Sequence, residues 1–282
     1  MKPKNKKIVE KTKQTIASRR NDRLKHGYKA KQVLQNKVND DGELSGIRVN
    51  KILSAGQRWS RRQADRLIDE GRVTVNGQIA TLGQRINPEV DKIEVDGKVI
   101  NQNTASNLIY LAYYKPVGEI CSTADDAKDK VYDRFKKYGR LFTIGRLDVA
   151  SEGLIVLTND GASVNRLLMA KHTVEKTYEV WTKPKVTPNQ VKQLKNGVKL
   201  DDGYITLPAN VKTSVSGQLL LTIVEGKNRQ IRRMCETIGL EVIKLRRLSF
   251  GKLTLRELNL TPGQYKSIPT GVFKRLFGLT RK

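Results

Sequence analysis

The segment TIGRLDVASEGLIVLTNDG, Thr143–Gly161, decides how the larger part of the chain folds. Its run Leu154–Leu157 is wholly apolar, as in a buried strand, and the preceding residues Gly145–Asp148 form a tight loop. A loop that leads into a buried strand places Asp148 where side chains from several elements can meet. Because aspartates in turns commonly cap backbone N–H groups, this pattern alone leaves both a structural and a functional interpretation open.

The charge of the chain limits the kind of partner it has. Its 282 residues include 54 Lys+Arg against 28 Asp+Glu, a formal net charge of +26. Such an excess is typical of proteins that bind a polyanion, and nucleic acid is the commonest one. No apolar run approaches the ~20 residues of a membrane-spanning helix, and the N-terminus has no apolar signal core. We therefore expect a soluble cytoplasmic protein that has no membrane partner.

Metal and cofactor signatures are absent from the sequence. Two cysteines, Cys121 and Cys235, and two histidines, His26 and His172, are scattered without zinc-ligand spacing. Neither G-x-G-x-x-G nor G-x-x-x-x-G-K-[ST] occurs, so no nucleotide-cofactor loop is predicted. The expectation is that the protein needs no metal and no cofactor. Acid–base or nucleophilic chemistry then falls to carboxylate, tyrosine or lysine side chains.

The chain divides by composition into three parts. Residues 1–46 are predicted to be a flexible basic extension and linker, since residues 1–38 carry thirteen Lys/Arg against Glu10 and Asp22. We expect this arm to contact RNA without sequence preference. Residues 47–106 form a small second unit, and residues 107–282 form the third and largest.

The second unit combines two capped helices with two hairpins. Ser60 precedes a helix whose inner stripe is Ala64, Leu67 and Ile68. The strand pairs RVTVNGQIA and KIEVDGKVI turn at Asn-Gly and Asp-Gly, the strongest short signals for a hairpin. This arrangement resembles the S4 RNA-binding domain.

Three arginines at the start of the second helix are candidate RNA contacts. Arg62 and Arg66 lie one helical turn apart, and Arg61 flanks them at the helix start. Basic side chains beside a helix N-terminus make a phosphate-binding face. Helical arginines are more often simply solvated, so the case depends on the surrounding pattern.

From Leu108 the pattern changes to short strands that alternate with helices, which predicts an α+β domain with a mixed or antiparallel sheet flanked by helices. The predicted strands are Leu108–Tyr114, Leu141–Ile144, Leu154–Leu157, Thr177–Thr182, Leu219–Val224 and Val242–Leu248. The predicted helices are Val131–Tyr138, Ala162–Met169, Pro188–Leu194 and Arg229–Ile238.

Three segments of this domain stand beside the opening loop as candidates for a site. EKTYEVW places Tyr178 on a strand, NRQIRRM places Arg229 and Arg232 at a helix start, and VIKLRRLSFG places Leu245 on a strand. Each has an ordinary structural interpretation. Together with the S4-like unit, they resemble the RsuA/RluB/RluE/RluF group of pseudouridine synthases over about residues 47–270. The motifs that carry the likeness are YYKPVGEICST, GRLD…GL, NRQIRRM and LRRLSFG, and NRQIRRMCE looks closest to the RluF type.

The resemblance implies a function and a set of roles. Members of the group isomerise uridine to pseudouridine in RNA without a cofactor, after the base is flipped out of its stack. It implies that Asp148 is the nucleophile, that Arg232 forms an ion pair keeping it charged, and that Tyr178 stacks on the uracil. Leu245 is implied to line the pocket, where we also expect Arg146, Lys115 and Arg229 to bind the substrate.

The sequence leaves the target RNA and two alternative functions open. Ribosomal RNA is the expected partner, with 23S rRNA preferred over 16S rRNA or tRNA; a ribosome assembly intermediate is a second form of that substrate. We expect a monomer. One alternative is a noncatalytic S4-domain protein that binds RNA or assists ribosome assembly. Another is a glycosidase with Asp148 and Glu152 as its carboxylate pair, while Asp160 is expected to cap a helix.

Overall fold

The computed structural model describes residues 46–56, 58–100, 107–122, 128–169, 174–214 and 218–279. The predicted basic extension lies outside the described residues, apart from Gly46. The described chain separates into two compact units, one of residues 46–52 and 62–100, the other of residues 53–61 and 107–279. None of its helices has the length and hydrophobicity needed to span a membrane.

The N-terminal part of the described chain has two helices and six short strands. Buried Ala64, Leu67 and Ile68 form the inner stripe of the second helix, as the spacing predicts. The helices are α1 (Val49–Ala55) and α2 (Arg61–Asp69). The strands are β1 (Ile47–Arg48), β2 (Val73–Val75), β3 (Gln78–Ile79), β4 (Arg85–Ile86), β5 (Ile93–Val95) and β6 (Lys98–Val99).

Both predicted hairpins are confirmed. Strands β2 and β3 pair antiparallel around Asn76 (φ 52°) and Gly77 (φ 79°). Strands β5 and β6 do the same around Asp96 (φ 51°) and Gly97 (φ 72°). Two successive positive φ angles match the right-handed twist of the flanking strands, which explains the Asn-Gly and Asp-Gly pairs.

The larger unit is built on a mixed sheet that contains nine strands within the described residues. The main strand order is β11-β12-β10-β13-β9-β7-β15, with β8 paired to β9 and β14 paired to β13. Only β9 and β13 run parallel among these pairs. The strands are β7 (Tyr110–Lys115), β8 (Phe142–Ile144), β9 (Glu152–Thr158), β10 (Lys176–Lys183), β11 (Asn210–Thr213), β12 (Leu219–Ile223), β13 (Glu241–Phe250), β14 (Leu253–Thr254) and β15 (Tyr265–Ser267).

Helices pack against both faces of this sheet. They are a 3-10 helix (Val131–Tyr138), α3 (Gly161–Leu168), α4 (Pro188–Asn196), α5 (Gln230–Thr237), α6 (Leu255–Leu258) and α7 (Thr270–Leu276). One core cluster joins Phe135 of the 3-10 helix and Met234 of α5 to Tyr178 on β10. The other joins Leu167 of α3 and Phe273 of α7 to the opposite face. We call the first the α5 face, since it carries the candidate site.

A glycine allows the close approach of β9 to β13. Gly153 has φ 118° and lies opposite Arg247 in the parallel register. A β-carbon placed there would lie 2.3 Å from the Arg247 carbonyl oxygen and 2.5 Å from its nitrogen. Only glycine fits both the backbone angle and the space. Gly153 is therefore required for β9 to pair with β13 in this register.

Candidate active site

The loop between β8 and β9 is held by three consecutive backbone carbonyls just after Asp148. Each accepts a hydrogen bond from a different residue. The pairs are Gly118 N–H to Val149 O (2.8 Å), Arg232 Nη2 to Ala150 O (2.9 Å) and Lys115 Nζ to Ser151 O (2.7 Å). Because the donors come from the strand β7 region and from α5, both must be in place for the loop to take this form.

Asp148 lies at the start of this loop segment, Asp148–Ser151. The residue is half-buried, and its own carbonyl accepts the Ser151 N–H at 3.0 Å, which closes a turn. Its charge also acts on the two cations that hold the loop. Burial lowers the pKa of Arg232 and of Lys115, and the Asp148 carboxylate opposes both shifts. The site therefore places a half-buried carboxylate in the field of two cations, half-buried Arg232 and fully buried Lys115.

The Asp148 charge acts on Arg232, but the expected ion pair between the two side chains stays a prediction. Within the described residues the two side chains form no ion pair. The guanidinium instead donates to Val242 O (3.0 Å) and Ala150 O (2.9 Å). By these two bonds the guanidinium joins α5 to strand β13 and to the loop that carries Asp148. Its Nε is buried and has no hydrogen-bond partner among the described residues.

Lys115 is fully enclosed at the end of β7. Its exposed fraction is 0%, and Nζ donates to Pro116 O (2.8 Å) and Ser151 O (2.7 Å). Burial lowers the pKa of the ammonium, while the nearby Cys121 and Glu119 act in the opposite direction. In this geometry Lys115 positions the loop through its backbone, and its expected contact with substrate stays a prediction.

Tyr178 and Leu245 lie together on the α5 face. Tyr178 on β10 is 8% exposed, and its strand partner on β13 is Arg247. Leu245 on β13 lies opposite Val180. Both belong to the core cluster that also contains Leu147 and Ile231, the neighbours of Asp148 and Arg232 in sequence. The structure thus brings the four segments singled out from the sequence to one region of the sheet.

Arg146 and Arg229 are both exposed, and they present their charges near the loop and near the start of α5. Arg229 occupies the N-cap of α5 with φ 48°, and its charge contributes to the lowered pKa of Arg232. In the smaller part of the chain, Arg61, Arg62 and Arg66 are exposed on α2 opposite the buried stripe. All five therefore remain available to an anionic partner.

Arg247 lies in the region of the candidate site, and its role was not predicted from the sequence. It is only 2% exposed, and its Nε donates to Leu154 O at 2.6 Å, while Nη2 is buried without a partner among the described residues. A fully buried arginine is unusual, since arginines are ordinarily exposed unless paired. Arg247 lies on β13 opposite Tyr178 of β10. Its hydrogen bond to Leu154 O supports β9, the strand that follows Asp148.

The two rival carboxylates have structural partners. Asp160 caps α3 by accepting from Ala162 N and Ser163 N, which confirms the prediction made for it. Glu152 is buried, with Oε1 2.6 Å from Arg246 Nε and 3.1 Å from Lys244 Nζ. Those interactions lower its pKa against the effect of burial. A carboxylate so fully engaged is a poor partner for Asp148 in hydrolysis.

Comparison with known proteins agrees with this arrangement. Residues 109–237 match the RNA pseudouridylate synthase family, and residues 47–92 match the S4 domain. The dual-specificity RNA pseudouridine synthase RluF of Escherichia coli (strain K12) is 38% identical over 235 residues, 83% of this chain and 80% of that protein. The chain belongs to the pseudouridine synthase family. Its S4 unit and its mixed sheet with flanking helices are those expected from the sequence.

Two further relatives extend the comparison. Ribosomal large subunit pseudouridine synthase B of Yersinia pestis is 34% identical over 219 residues, 74% of this chain and 69% of that protein. A crystal structure of a pseudouridylate synthase superposes with a TM-score of 0.60 at 29% identity, covering 82% of this chain and all of that one. The matched ranges lie inside the predicted domains 47–106 and 107–282, whose exact limits stay predictions. Among the described residues, no cluster of His, Cys, Asp or Glu is arranged to hold a metal ion.

Proposed function

We propose that this protein converts a uridine of ribosomal RNA, preferably 23S rRNA, to pseudouridine. The observation that carries the proposal is the braced loop, in which three consecutive carbonyls beyond Asp148 are bound by Gly118, Arg232 and Lys115. The target class is supported by the relatives, one of which carries the name of a ribosomal large subunit enzyme.

Asp148 is proposed as the nucleophile. The reaction breaks the C1′–N1 bond and forms a C1′–C5 bond, so no atom is gained or lost. The carboxylate attacks the sugar carbon or the base and holds one fragment while the uracil turns. When C5 has bonded to C1′, the aspartate is released, the C5 proton leaves and N1 gains a proton. Arg232 and Lys115 hold the backbone of the loop that presents this carboxylate, through Ala150 O and Ser151 O.

Tyr178 and Leu245 are proposed as the pocket for the uracil. A tyrosine offers a flat ring for stacking and a hydroxyl that can assist removal of the C5 proton. Leu245 supplies apolar surface from the neighbouring strand. Exposed Arg146 and Arg229 bind the RNA around the base, which must leave its stack before it reacts.

The remaining assignments follow from this reaction. Ribosomal RNA, or a partly assembled ribosomal particle, is the proposed partner, contacted by Arg61, Arg62 and Arg66 of α2. We propose a monomer that acts in the cytoplasm, where that substrate is found.

The experiment compares pseudouridine maps of total RNA from cells with and without the gene. One or a few sites should disappear, return with the wild-type gene and stay absent with Asp148→Asn. Asn keeps the shape of the side chain but removes its charge. Purified Asp148→Asn should bind RNA with wild-type affinity and form no pseudouridine in it, and this combination separates the enzyme from a noncatalytic S4-domain binder. Full restoration by Asp148→Asn would refute the assigned mechanism.

A further inference from the structure

The 3-10 helix and its flanks form a basic segment outside the site already described. Residues 128–140 hold six Lys/Arg and two Asp. Val131 and Phe135 are buried in the core cluster of the α5 face, which fixes this helix to the sheet. The charged side chains Arg134, Lys136 and Lys137 are exposed. The 3-10 helix therefore packs one side against the core and exposes a cationic side.

Tyr138, the last residue of this helix, contacts Tyr265 of β15. The rings of Tyr138 and Tyr265 lie 6.2 Å apart at 89°, and the Tyr138 hydroxyl donates to that of Tyr265 at 3.4 Å. The buried ring of Phe135 supports Tyr265 edge-on at 5.1 Å. Both tyrosines are half-buried, so they are held in place while part of each ring remains at the surface.

Lys137 is the cation that this pair presents. Its Nζ lies 5.1 Å from the Tyr138 ring centroid and 5.8 Å from that of Tyr265. Neighbouring Lys136 pairs with Asp133 at 3.0 Å and Arg134 with Glu119 at 3.2 Å, whereas the ion pairs of the described residues include none for Lys137. A hydrogen bond with Tyr265 raises the pKa of Lys137, so it stays charged. Its charge is thus free to meet an external anion.

This cluster lies on the same face of the sheet as Tyr178. Tyr265 on β15 pairs with Tyr113 on β7, and Tyr138 and Tyr265 pack against the core cluster that contains Tyr178. Four strand steps separate β15 from β10, about 19 Å at the usual strand spacing. That distance suits RNA that continues beyond the nucleotide bound at Tyr178.

On the opposite face of the sheet, a similar cluster of cations and an aromatic ring is neutralised by carboxylates. Trp181 on β10 has Lys244 Nζ and Arg246 Cζ each 5.2 Å from its ring centroid. There, however, Glu152 pairs with both cations and Glu179 pairs with Arg246. Those carboxylates neutralise the charge that an anionic ligand would need. The Lys137 cluster has no such compensation among the described residues.

We propose that Tyr138, Tyr265 and Lys137 form a binding surface for the single-stranded RNA that flanks the target uridine. Lys137 contacts a backbone phosphate, and a tyrosine ring offers a stacking surface to a base, the usual combination in proteins that hold unpaired strands. The inference deepens the proposed function and rests on it for the identity of the RNA.

The test is the salt dependence of binding to a short single-stranded RNA of mixed sequence, with the full chain. Lys137→Gln should weaken binding and reduce the slope of log K against log salt by about 0.7, one phosphate contact on a single strand. Lys137→Arg should restore the slope. The matched control is Lys212→Gln, which removes the same charge from an exposed position on β11, next to Val211 of the α5-face core.

A ring variant tests the stacking part of the surface. Tyr138→Phe should bind like the wild type, and Tyr138→Leu should bind more weakly when both are assayed well below their thermal midpoints. A wild-type slope for Lys137→Gln, or an equal loss with Lys212→Gln, would refute the surface. The proposed function fails on a different measurement, the absence of pseudouridine in RNA treated with wild-type protein. The two failures are therefore distinguishable.

Discussion

Arg232 Nη2 donates to the carbonyl of Ala150 at 2.9 Å, two residues beyond Asp148. This bond ties helix α5 to the loop that carries the carboxylate. Because the same guanidinium also donates to Val242 O at 3.0 Å, α5, β13 and the loop share one side chain. The position of Asp148 therefore depends on a planar group that serves two carbonyls at once, which a lysine cannot reproduce.

Arg232→Lys is expected to slow the reaction while the protein stays folded. The charge is retained, but one of the two carbonyl contacts is lost. A charge-assisted hydrogen bond is worth about 1.5–3 kcal/mol, so kcat should fall roughly 10- to 100-fold with a smaller change in KM.

The matched control for this variant lies on the same helix. Arg233 bonds Asp201 and Asp202 instead of the loop, so Arg233→Lys should keep kcat near the wild-type value. Single-turnover assays at saturating RNA would measure both. Equal losses in the two variants would contradict a positioning role for Arg232.

Gly153→Ala is expected to disturb the parallel pairing of β9 and β13. Its added methyl group would collide with the Arg247 backbone and would also require a positive φ. Such overpacking and strain together cost at least about 2 kcal/mol. Urea denaturation should show this as a lower free energy of unfolding.

Gly203→Ala measures the cost of a strained φ angle without the cost of a steric clash. Gly203 has φ 81°, but nothing lies within 4 Å of a β-carbon placed there. The variant should lose only about 1 kcal/mol, the conformational part. If both variants lost the same amount, the close approach at Gly153 would not be important for stability.

The buried Lys176 should make the free energy of unfolding depend on pH. Its Nζ donates to Val174 O (2.8 Å) and Val224 O (3.1 Å), and burial lowers its pKa to about 8. In the unfolded chain a lysine titrates near 10.4, roughly its ordinary value. Between these two pKa values the unfolded state binds more protons, so stability must rise with pH. Below about pH 8 both states are protonated and this contribution is constant.

The measurement compares wild type with Lys176→Met across that window. The free energy of unfolding of the wild type, relative to the variant, should increase from about pH 8 toward pH 10. The same comparison with Lys252→Met, which changes an exposed lysine, should give a difference in the free energy of unfolding that shows no such trend. A difference that is flat or falls with pH would contradict the lowered pKa of Lys176.

Much of the fold was predictable where local chemistry is decisive. The two hairpins follow from Asn-Gly and Asp-Gly, and β10 at Lys176–Lys183 extends the predicted Thr177–Thr182 by one residue at each end. In the larger unit, strands β11, β14 and β15 and helices α6 and α7 were not predicted. Helix α6 has only four residues, too few to show a helical period, and β11 is an edge strand with a single buried residue.

The candidate site was predictable in its residue types but not in its contacts. The motifs pointed to Asp148, Tyr178 and Arg232, yet the guanidinium bonds to carbonyls that no sequence pattern reveals. The burial of Lys115 and Arg247 could not be foreseen either, because such side chains are ordinarily exposed. Their partners are backbone oxygens brought close only when the sheet has formed.

Two arginines on the exposed side of α2 are expected to bind phosphates of the RNA. Arg62 and Arg66 are exposed one turn apart, and no described acidic group forms an ion pair with either. Arg72 in the same unit is paired with Asp96 at 2.7 Å and with Glu70 at 3.2 Å. Replacing Arg62 and Arg66 together with Gln should lower RNA affinity uniformly across sequences and reduce the salt slope by about one to two. Arg72→Gln removes a charge that is already compensated, so its slope should stay close to that of the wild type. Binding assays over a salt series with two unrelated RNA sequences would check both, and a loss confined to one sequence would mean that these arginines read bases instead of phosphates.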